Sequence, residues 1–173
     1  MVRVKRISSS WKLIYIVGLF MAIILGLRLI WLKPYEIPSP SMAPTLLPGD
    51  CILVNKLAYL SRTALRGDIV VFKYPMDPER VFIKRVIAVE GEDFEIKDSQ
   101  VYINNKPLSE PYINKVNFAA FSSRRVPSGF LLVLGDNRNE SRDSREWGML
   151  PRDNLLGRAM FIYSPSHRFS ILR

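Results

Sequence analysis

The chain has 173 residues, of which 48% are hydrophobic and 24% are charged, so it is long enough for one domain or a smaller domain with an appendage. This composition is that of a globular protein and excludes collagen-like or wholly disordered chains. A single cysteine, Cys51, excludes an intrachain disulfide and a cysteine-rich metal site, and a single histidine, His167, argues against a histidine metal cluster. The net charge is +9, and residues 1–33 carry six basic side chains and no acidic one.

The first predicted element is a membrane anchor at residues 13–32, an apolar run in which Arg28 is the one charged residue. About 20 apolar residues in a helix span the hydrocarbon core of a bilayer. Basic residues before this run predict a cytoplasmic N-terminus at 1–12 and an extracytoplasmic domain at 33–173. Basic charge concentrated beside an apolar run indicates membrane topology and not a nucleic-acid-binding face. The alternatives are a cleaved signal peptide and a buried core helix.

The rest of the chain reads as a mostly β domain. Short apolar or β-branched runs separated by turn residues predict strands, at 52–54, 69–72, 81–89, 94–96, 101–103, 130–134 and 159–163. Many short strands with few helical patterns indicate an antiparallel sheet that is folded or barrel-like. We expect a long loop at 111–127.

Two hydroxyls stand in a proline-rich segment, where prolines flank Ser39 and Ser41. A stiff, extended backbone preorganises a nucleophile. A proline- and serine-rich linker between membrane and domain is the alternative interpretation, although Met42 and Leu46 are apolar where a linker would be polar.

A lysine lies within the apolar run 81–89. Strand alternation places Lys84 on one face with Phe82, Val86 and Ala88. Burial lowers the pKa of a lysine and makes it a candidate general base. The alternative is a lysine at the rim of a sheet that reaches water through its flexible stem. Arg85 is a permanent cation and is better suited to a structural ion pair.

A third segment, 135–148, mixes charged residues with two serines. It is either a solvated loop or a hydrogen-bonded platform beside an active site, with Asp143 and Arg145 paired. We expect His167 to be a surface residue near the terminus, which disfavours a histidine-based triad. Cys51 is expected to be a small buried hydrophobic residue. A serine–lysine pair is then the more economical nucleophile and base.

Four ordered segments, together with the preceding anchor, make the chain resemble bacterial type I signal peptidases, the membrane-anchored serine–lysine endopeptidases of the general secretory pathway. They are IPSPSMAPTL (37–46), RGDIVVFKYP (66–75), FIKRVIAVEGE (82–92) and GDNRNESRDSREWG (135–148). Residues 104–128 carry little of the resemblance. Pro40 stands where many members have glycine, and we expect it to stiffen the loop.

The resemblance implies Ser41 as the nucleophile and Lys84 as the general base, with no metal or cofactor. It implies that Ser39 contributes to the oxyanion hole, that Ser141 orients the lysine, and that Asp143 and Arg145 form a supporting salt bridge. Asp136 belongs to the same motif.

The substrates implied by the resemblance are exported preproteins with small residues at −1 and −3. The walls of the substrate pocket would be Tyr35, Ile37, Pro38, Met42, Leu46, Ile52, Val71, Phe82 and Ile83. Extended segments at 35–41 and 81–84 can pair with a substrate strand. The expected partners are preproteins and membrane lipid, without nucleic acid, at the plasma membrane.

Three alternatives remain open. One is a tethered β domain that binds a partner through its sheet edge, and another is a self-cleaving serine–lysine repressor-type protein, disfavoured by the anchor and by the lack of a helix-turn-helix domain. Relatives in organelle membranes are the third. A further hypothesis places Phe118 and Phe121, beside Arg124 and Arg125, on anionic lipid, with a buried loop plug as its alternative.

Overall fold

The computed structural model describes residues 9–113 and 120–172. The chain divides into two compact units between Leu32 and Lys33. The first unit contains α1 (Ser9–Ile30), a helix of 22 residues. Within the described residues, no helix combines the length and the apolar character needed to cross a membrane. The anchor predicted at 13–32 is therefore not confirmed.

Beyond α1, the described residues form mainly strands. The one further α-helix among them, α2, is a single turn (Ser144–Trp147). The strands are β1 (Leu32–Glu36), β2 (Cys51–Asn55), β3 (Ile69–Tyr74), β4 (Asp77–Val89), β5 (Asp93–Lys97), β6 (Gln100–Ile103), β7 (Lys106–Pro107), β8 (Phe121–Arg125), β9 (Phe130–Leu134), β10 (Leu150–Pro151), β11 (Leu155–Ser164) and β12 (Ser170–Ile171). Every strand run expected from the sequence lies within one of these strands.

The larger sheet confirms the mostly β, antiparallel prediction but corrects the barrel-like closure. Its strand order is β1-β2-β11-β3-β4-β9-β10, with β12 paired to β11. In the residues that the structure describes, β1 and β10 stand at opposite edges, so the sheet stays open. Strand β10 has two residues, and one is Pro151, which has no backbone N–H to donate to a further strand.

The smaller sheet has the order β7-β6-β5-β8 and corrects the loop expected at 111–127. Strand β8 pairs with β5 through Asp93 and Arg125 and through Ile96 and Phe121. The Phe121 ring stacks on Phe94 with centroids 5.6 Å apart, so Phe121 packs on the core instead of facing a lipid surface. Phe118, its proposed companion, lies outside the described residues.

Strand β4 links the exposed rim of the larger sheet to its core. Residues 77–81 are exposed, whereas Val86, Ile87 and Ala88 are fully buried. The second half of β4 is therefore covered on both faces, between β3 and β9. Any polar side chain in this half needs partners inside the protein.

Two single-residue expectations have different outcomes. His167 is exposed in a 3-10 turn (Ser166–Arg168), as expected. Cys51 is half-buried and not buried, because it is the first residue of β2, where the strand emerges from the core.

Candidate active site

The Ser41 segment is fixed by its own backbone and by the core. Pro40–Met42 form one 3-10 turn with proline at its start. The Ile37 amide donates to the Asp50 carbonyl and the Gly49 amide donates to the Ile37 carbonyl, both at 2.9 Å, which closes the loop at its base. Met42 is fully buried and anchors the turn. The Ser41 side chain is thus held in one place.

Lys84 reaches this serine from the middle of β4. Its Nζ donates to Ser41 Oγ at 2.6 Å, and the residue is 4% exposed. Burial lowers the pKa of Lys84 to about 8, against the opposing effect of the Asp143 and Asp136 carboxylates, and the Arg145 guanidinium lowers it further. The amine therefore loses its proton near neutral to mildly alkaline pH and becomes able to accept the Ser41 proton.

A second hydroxyl lies beside the first. Ser39 Oγ is 3.3 Å from Ser41 Oγ, and both residues line the same cleft. A hydroxyl donor at this distance is close enough to reach an oxyanion that forms on a carbonyl attacked by Ser41.

Two buried ion pairs surround the lysine. Arg85 Nε donates to Asp136 Oδ1 at 2.9 Å and Nη2 donates to Oδ2 at 2.7 Å, while Thr45 Oγ1 donates to Asp136 Oδ2 at 2.6 Å. Arg145 Nε donates to Asp143 Oδ1 at 2.8 Å, which is the pair expected from the sequence. Bidentate pairing of this kind fixes orientation as well as charge.

Asp143 also holds the chain next to the serine. Its Oδ2 accepts from the Gly135 amide at 3.0 Å. A Cβ built on Gly135 would lie 2.4 Å from the Ser41 carbonyl oxygen and 2.2 Å from Ser141 Oγ. Glycine is therefore required here by close approach.

Ser141 packs on Gly135, but it does not make the hydrogen bond to Lys84 that its expected orienting role requires. Its Oγ is buried and has no hydrogen-bond partner in the described part of the chain. The structure thus places Ser141 against Gly135, and its orienting role towards Lys84 stays a prediction.

Two clefts adjoin each other, and they share Pro38, Val81, Phe82 and Ile83 in their linings. A cleft of about 480 Å³ contains Ser41, Lys84, Ser39 and Phe82, with Arg80, Glu140 and Arg142 also in its lining. An adjoining apolar cleft of about 240 Å³ contains seven of the nine predicted wall residues, Tyr35, Ile37, Pro38, Ile52, Val71, Phe82 and Ile83.

Met42 and Leu46 do not line either of these clefts. Both are fully buried in the core cluster that includes Ile52 and Val71. Their apolar side chains anchor the Ser41 segment in the core, whereas the resemblance implied that they form walls of the substrate pocket. In residues 9–113 and 120–172, no group of three or more His, Cys, Asp or Glu side chains is placed to bind a metal ion.

The sequence did not point to several residues of the site. Thr45, Arg138, Glu110 and Tyr112 join its buried polar network. Thr45 could have been found from the sequence, because it is a third hydroxyl residue in the proline-rich segment that contains Ser39 and Ser41. Glu110 and Tyr112 lie in a stretch where no local pattern distinguishes them.

A serine hydroxyl bonded to a lysine of lowered pKa, beside an apolar cleft in an antiparallel β domain, is the arrangement of a serine hydrolase. The comparisons with known proteins agree. The family model "Signal peptidase, peptidase S26" matches residues 10–164. "Probable signal peptidase I-1" of Synechocystis is 40% identical over 96% of this chain and 90% of its own.

Further relatives come from other sources. "Thylakoidal processing peptidase 1, chloroplastic" of Arabidopsis thaliana is 38% identical over 80% of this chain and 44% of its own. The crystal structure of a signal peptidase I from Enterococcus faecalis has a TM-score of 0.51 and 31% identity, over 56% of this chain and 97% of that one. The chain belongs to the signal peptidase family, peptidase S26, whose members are serine endopeptidases.

Proposed function

We propose that this protein removes N-terminal signal peptides from exported preproteins, with Ser41 as the nucleophile and Lys84 as the general base. The observation that carries the proposal is the 2.6 Å contact between Lys84 Nζ and Ser41 Oγ. Family membership supports the reaction class, and the contact supports the assignment of the two residues.

The reaction proceeds in two halves. Neutral Lys84 takes the Ser41 proton while Ser41 Oγ attacks the scissile carbonyl carbon. The oxyanion accepts hydrogen bonds from the Ser39 hydroxyl and the Ser41 amide, and one such contact lowers the activation barrier by about 3–4 kcal/mol. The Lys84 ammonium then gives its proton to the leaving amine as the C–N bond breaks. Water, deprotonated by Lys84, then attacks the ester carbonyl carbon. The bond from that carbon to Ser41 Oγ breaks, the Lys84 ammonium returns the proton to Oγ, and the signal peptide leaves as the free acid.

The surrounding groups support this pair. Arg85 with Asp136, and Arg145 with Asp143, hold the 135–145 loop against the serine segment. Ser141 lies next to Gly135 and is the proposed orienting hydroxyl for the lysine.

The apolar cleft sets the substrate. Its walls of Ile52, Val71 and Ile83 leave a space of about 240 Å³ that suits small side chains at −1 and −3. The substrate strand adds between residues 35–41 and 81–84, so main-chain hydrogen bonds fix its register and alternate side chains face the cleft. We expect preproteins with large side chains at −1 or −3 to be poor substrates.

We also propose that residues 13–32 form a single-pass anchor in the plasma membrane, with 1–12 on the cytoplasmic side. The apolar run, its basic flank and the exposed apolar side chains of α1 support this placement. Carbonate extraction of membranes from cells that express the full chain tests the anchor, and added protease tests which side carries 33–173. Release of the full chain by carbonate would overturn the anchor.

Cleavage of a preprotein with an Ala-x-Ala site tests the main proposal. We expect the full chain in detergent to cut after that site, and Ser41→Ala and Lys84→Ala to fail while they stay folded. Ser61→Ala and Lys73→Ala change exposed residues of the same types and should cut like wild type. If both site variants cut like wild type, the assignment is wrong. If folded wild type cuts nothing, a tethered peptide-binding domain becomes the better description.

A further inference from the structure

Glu110 forms a buried ion pair with an arginine of the 135–148 segment. Arg138 Nη1 donates to Glu110 Oε2 at 3.0 Å and Nη2 donates to Oε1 at 2.5 Å. The two side chains are 0% and 3% exposed. Tyr112 adds a third bond, because its hydroxyl donates to Glu110 Oε1 at 2.8 Å. Three donors on one buried carboxylate make a rigid contact.

Arg138 carries this contact to the backbone beside the serine. Its Nε donates to the Gly135 carbonyl at 3.0 Å, and its own carbonyl accepts from Arg145 Nη2 at 2.8 Å. Gly135 is therefore held at its carbonyl by the Glu110–Arg138 pair and at its amide by Asp143. Both bonds to Gly135 come from side chains that are themselves ion-paired.

Gly135 in turn determines how closely the 135–145 loop approaches Ser41. The space between Gly135 and the Ser41 carbonyl is too small for a Cβ. The next contact is the Asn137 amide, which donates to the same Ser41 carbonyl at 3.2 Å. Movement of Gly135 would therefore change the position of the nucleophile's backbone.

Tyr112 reaches the second arginine of the site. The Arg85 guanidinium lies 3.9 Å from the centroid of the Tyr112 ring, and Arg85 holds Asp136. Cation–π stacking at this distance restrains the guanidinium plane. The segment 110–112 thus contacts two of the three arginines that hold the 135–145 loop, Arg138 and Arg85.

We infer that Glu110 and Tyr112 are positioning residues for the peptidase reaction, which hold Arg138 and Arg85 so that the 135–145 loop stays in place against Ser41. This inference rests on the proposed function. It gives residues 110–112 a role in the rate of the chemical step and not in substrate binding, because neither residue lines either of the two clefts described above.

Steady-state cleavage of an Ala-x-Ala preprotein by the full chain tests the inference, with active sites counted by a serine-reactive titrant so that unfolded protein is not included. For Glu110→Gln we expect kcat to fall about tenfold, with KM within about twofold of wild type. Glu90→Gln is the matched control, since Glu90 is an exposed carboxylate that also faces an arginine, Arg152, at 3.4 Å. It should leave both constants unchanged.

The pH dependence of kcat separates positioning from a general loss of stability. The charged groups that act on Lys84 are Asp136, Asp143 and Arg145. Glu110→Gln loosens the loop that carries these three groups. The Asp143 and Asp136 carboxylates, which raise the pKa of Lys84, then act on it less strongly, so the alkaline rise in kcat moves to lower pH. Partial unfolding would lower the height of the profile without moving its midpoint.

Tyr112→Phe covers the case in which Glu110→Gln does not fold. It keeps the ring on Arg85 and removes the hydroxyl bond to Glu110, so we expect a smaller fall in kcat at unchanged KM. If wild type cuts while both variants match Glu90→Gln, or lower kcat without a shifted midpoint, the inference is overturned and the proposed function stands. If wild type itself cuts nothing, both are overturned.

Discussion

Replacement of Lys84 by methionine should make the protein more stable while abolishing cleavage. Burial lowers the pKa of Lys84 from 10.5 to about 8, a difference that corresponds to a cost of about 3 kcal/mol for keeping the ammonium charged in the folded protein. Methionine has a similar length and no charge, so Lys84→Met removes this cost. It also removes the 2.6 Å bond to Ser41, which contributes about 1 kcal/mol. We expect a net gain of about 2 kcal/mol at pH 7.

The sign of the pH dependence follows from the direction of the shift. Because the folded pKa is below the unfolded one, the unfolded chain binds more protons between pH 8 and 10.5, and stability rises with pH across that window. Below pH 8 both states are protonated and the full cost is present. In Lys84→Met this part of the pH dependence disappears.

Urea unfolding at pH 7 and pH 10, for wild type and Lys84→Met, measures both effects. Lys73→Met is the control, since Lys73 is an exposed lysine on the neighbouring strand β3. It should change stability by less than about 0.5 kcal/mol. If Lys84→Met is no more stable than wild type at pH 7, the argument that burial destabilises the charged form of Lys84 is refuted.

Three further outcomes are expected. For wild type, log kcat/KM should rise with pH up to about 8 and then level off, because the Lys84 ammonium must lose its proton; a profile flat from pH 6 to 10 would remove it as the base. Gly135→Ala should lower kcat at least about tenfold, since its Cβ would lie 2.4 Å from the Ser41 carbonyl oxygen, and unchanged kcat would contradict that close approach. Arg85→Met should lower the free energy of unfolding by about 3–5 kcal/mol, because it leaves the Asp136 carboxylate buried and unpaired. A loss under about 1 kcal/mol in urea unfolding would show that this pair is not buried.

The strands of the core were predictable because their side-chain pattern is local. Runs such as 81–89 and 130–134 are apolar throughout and lie in strands β4 and β9. Strand β8 was missed because FSSRR has one apolar residue and no alternation. Its pairing with β5 depends on the fold, through the stacking of Phe121 on Phe94.

The residues of the site also divide into those that local sequence reveals and those that depend on the fold. Ser41 and Lys84 could be singled out because each has an unusual local setting, a serine between prolines and a lysine in an apolar strand. The partner of Asp136 could not be found, since Arg85 is 51 residues away in the chain. Long-range ion pairs of this kind leave no periodic pattern in the sequence.

Strand β4 joins the core and the site in one continuous register. Lys84 lies opposite Val70, and Arg85 lies opposite Ile69, in the pairing of β4 with β3. The same strand continues into the buried residues Val86 and Ala88, and a register shift between these two sets its pairing with β9. A slip of one residue would exchange the faces of every side chain and turn the Lys84 amine away from Ser41. A chain that pairs this strand in the wrong register is therefore inactive as a peptidase, so the protein becomes able to cleave peptides only once β4 has its native pairing.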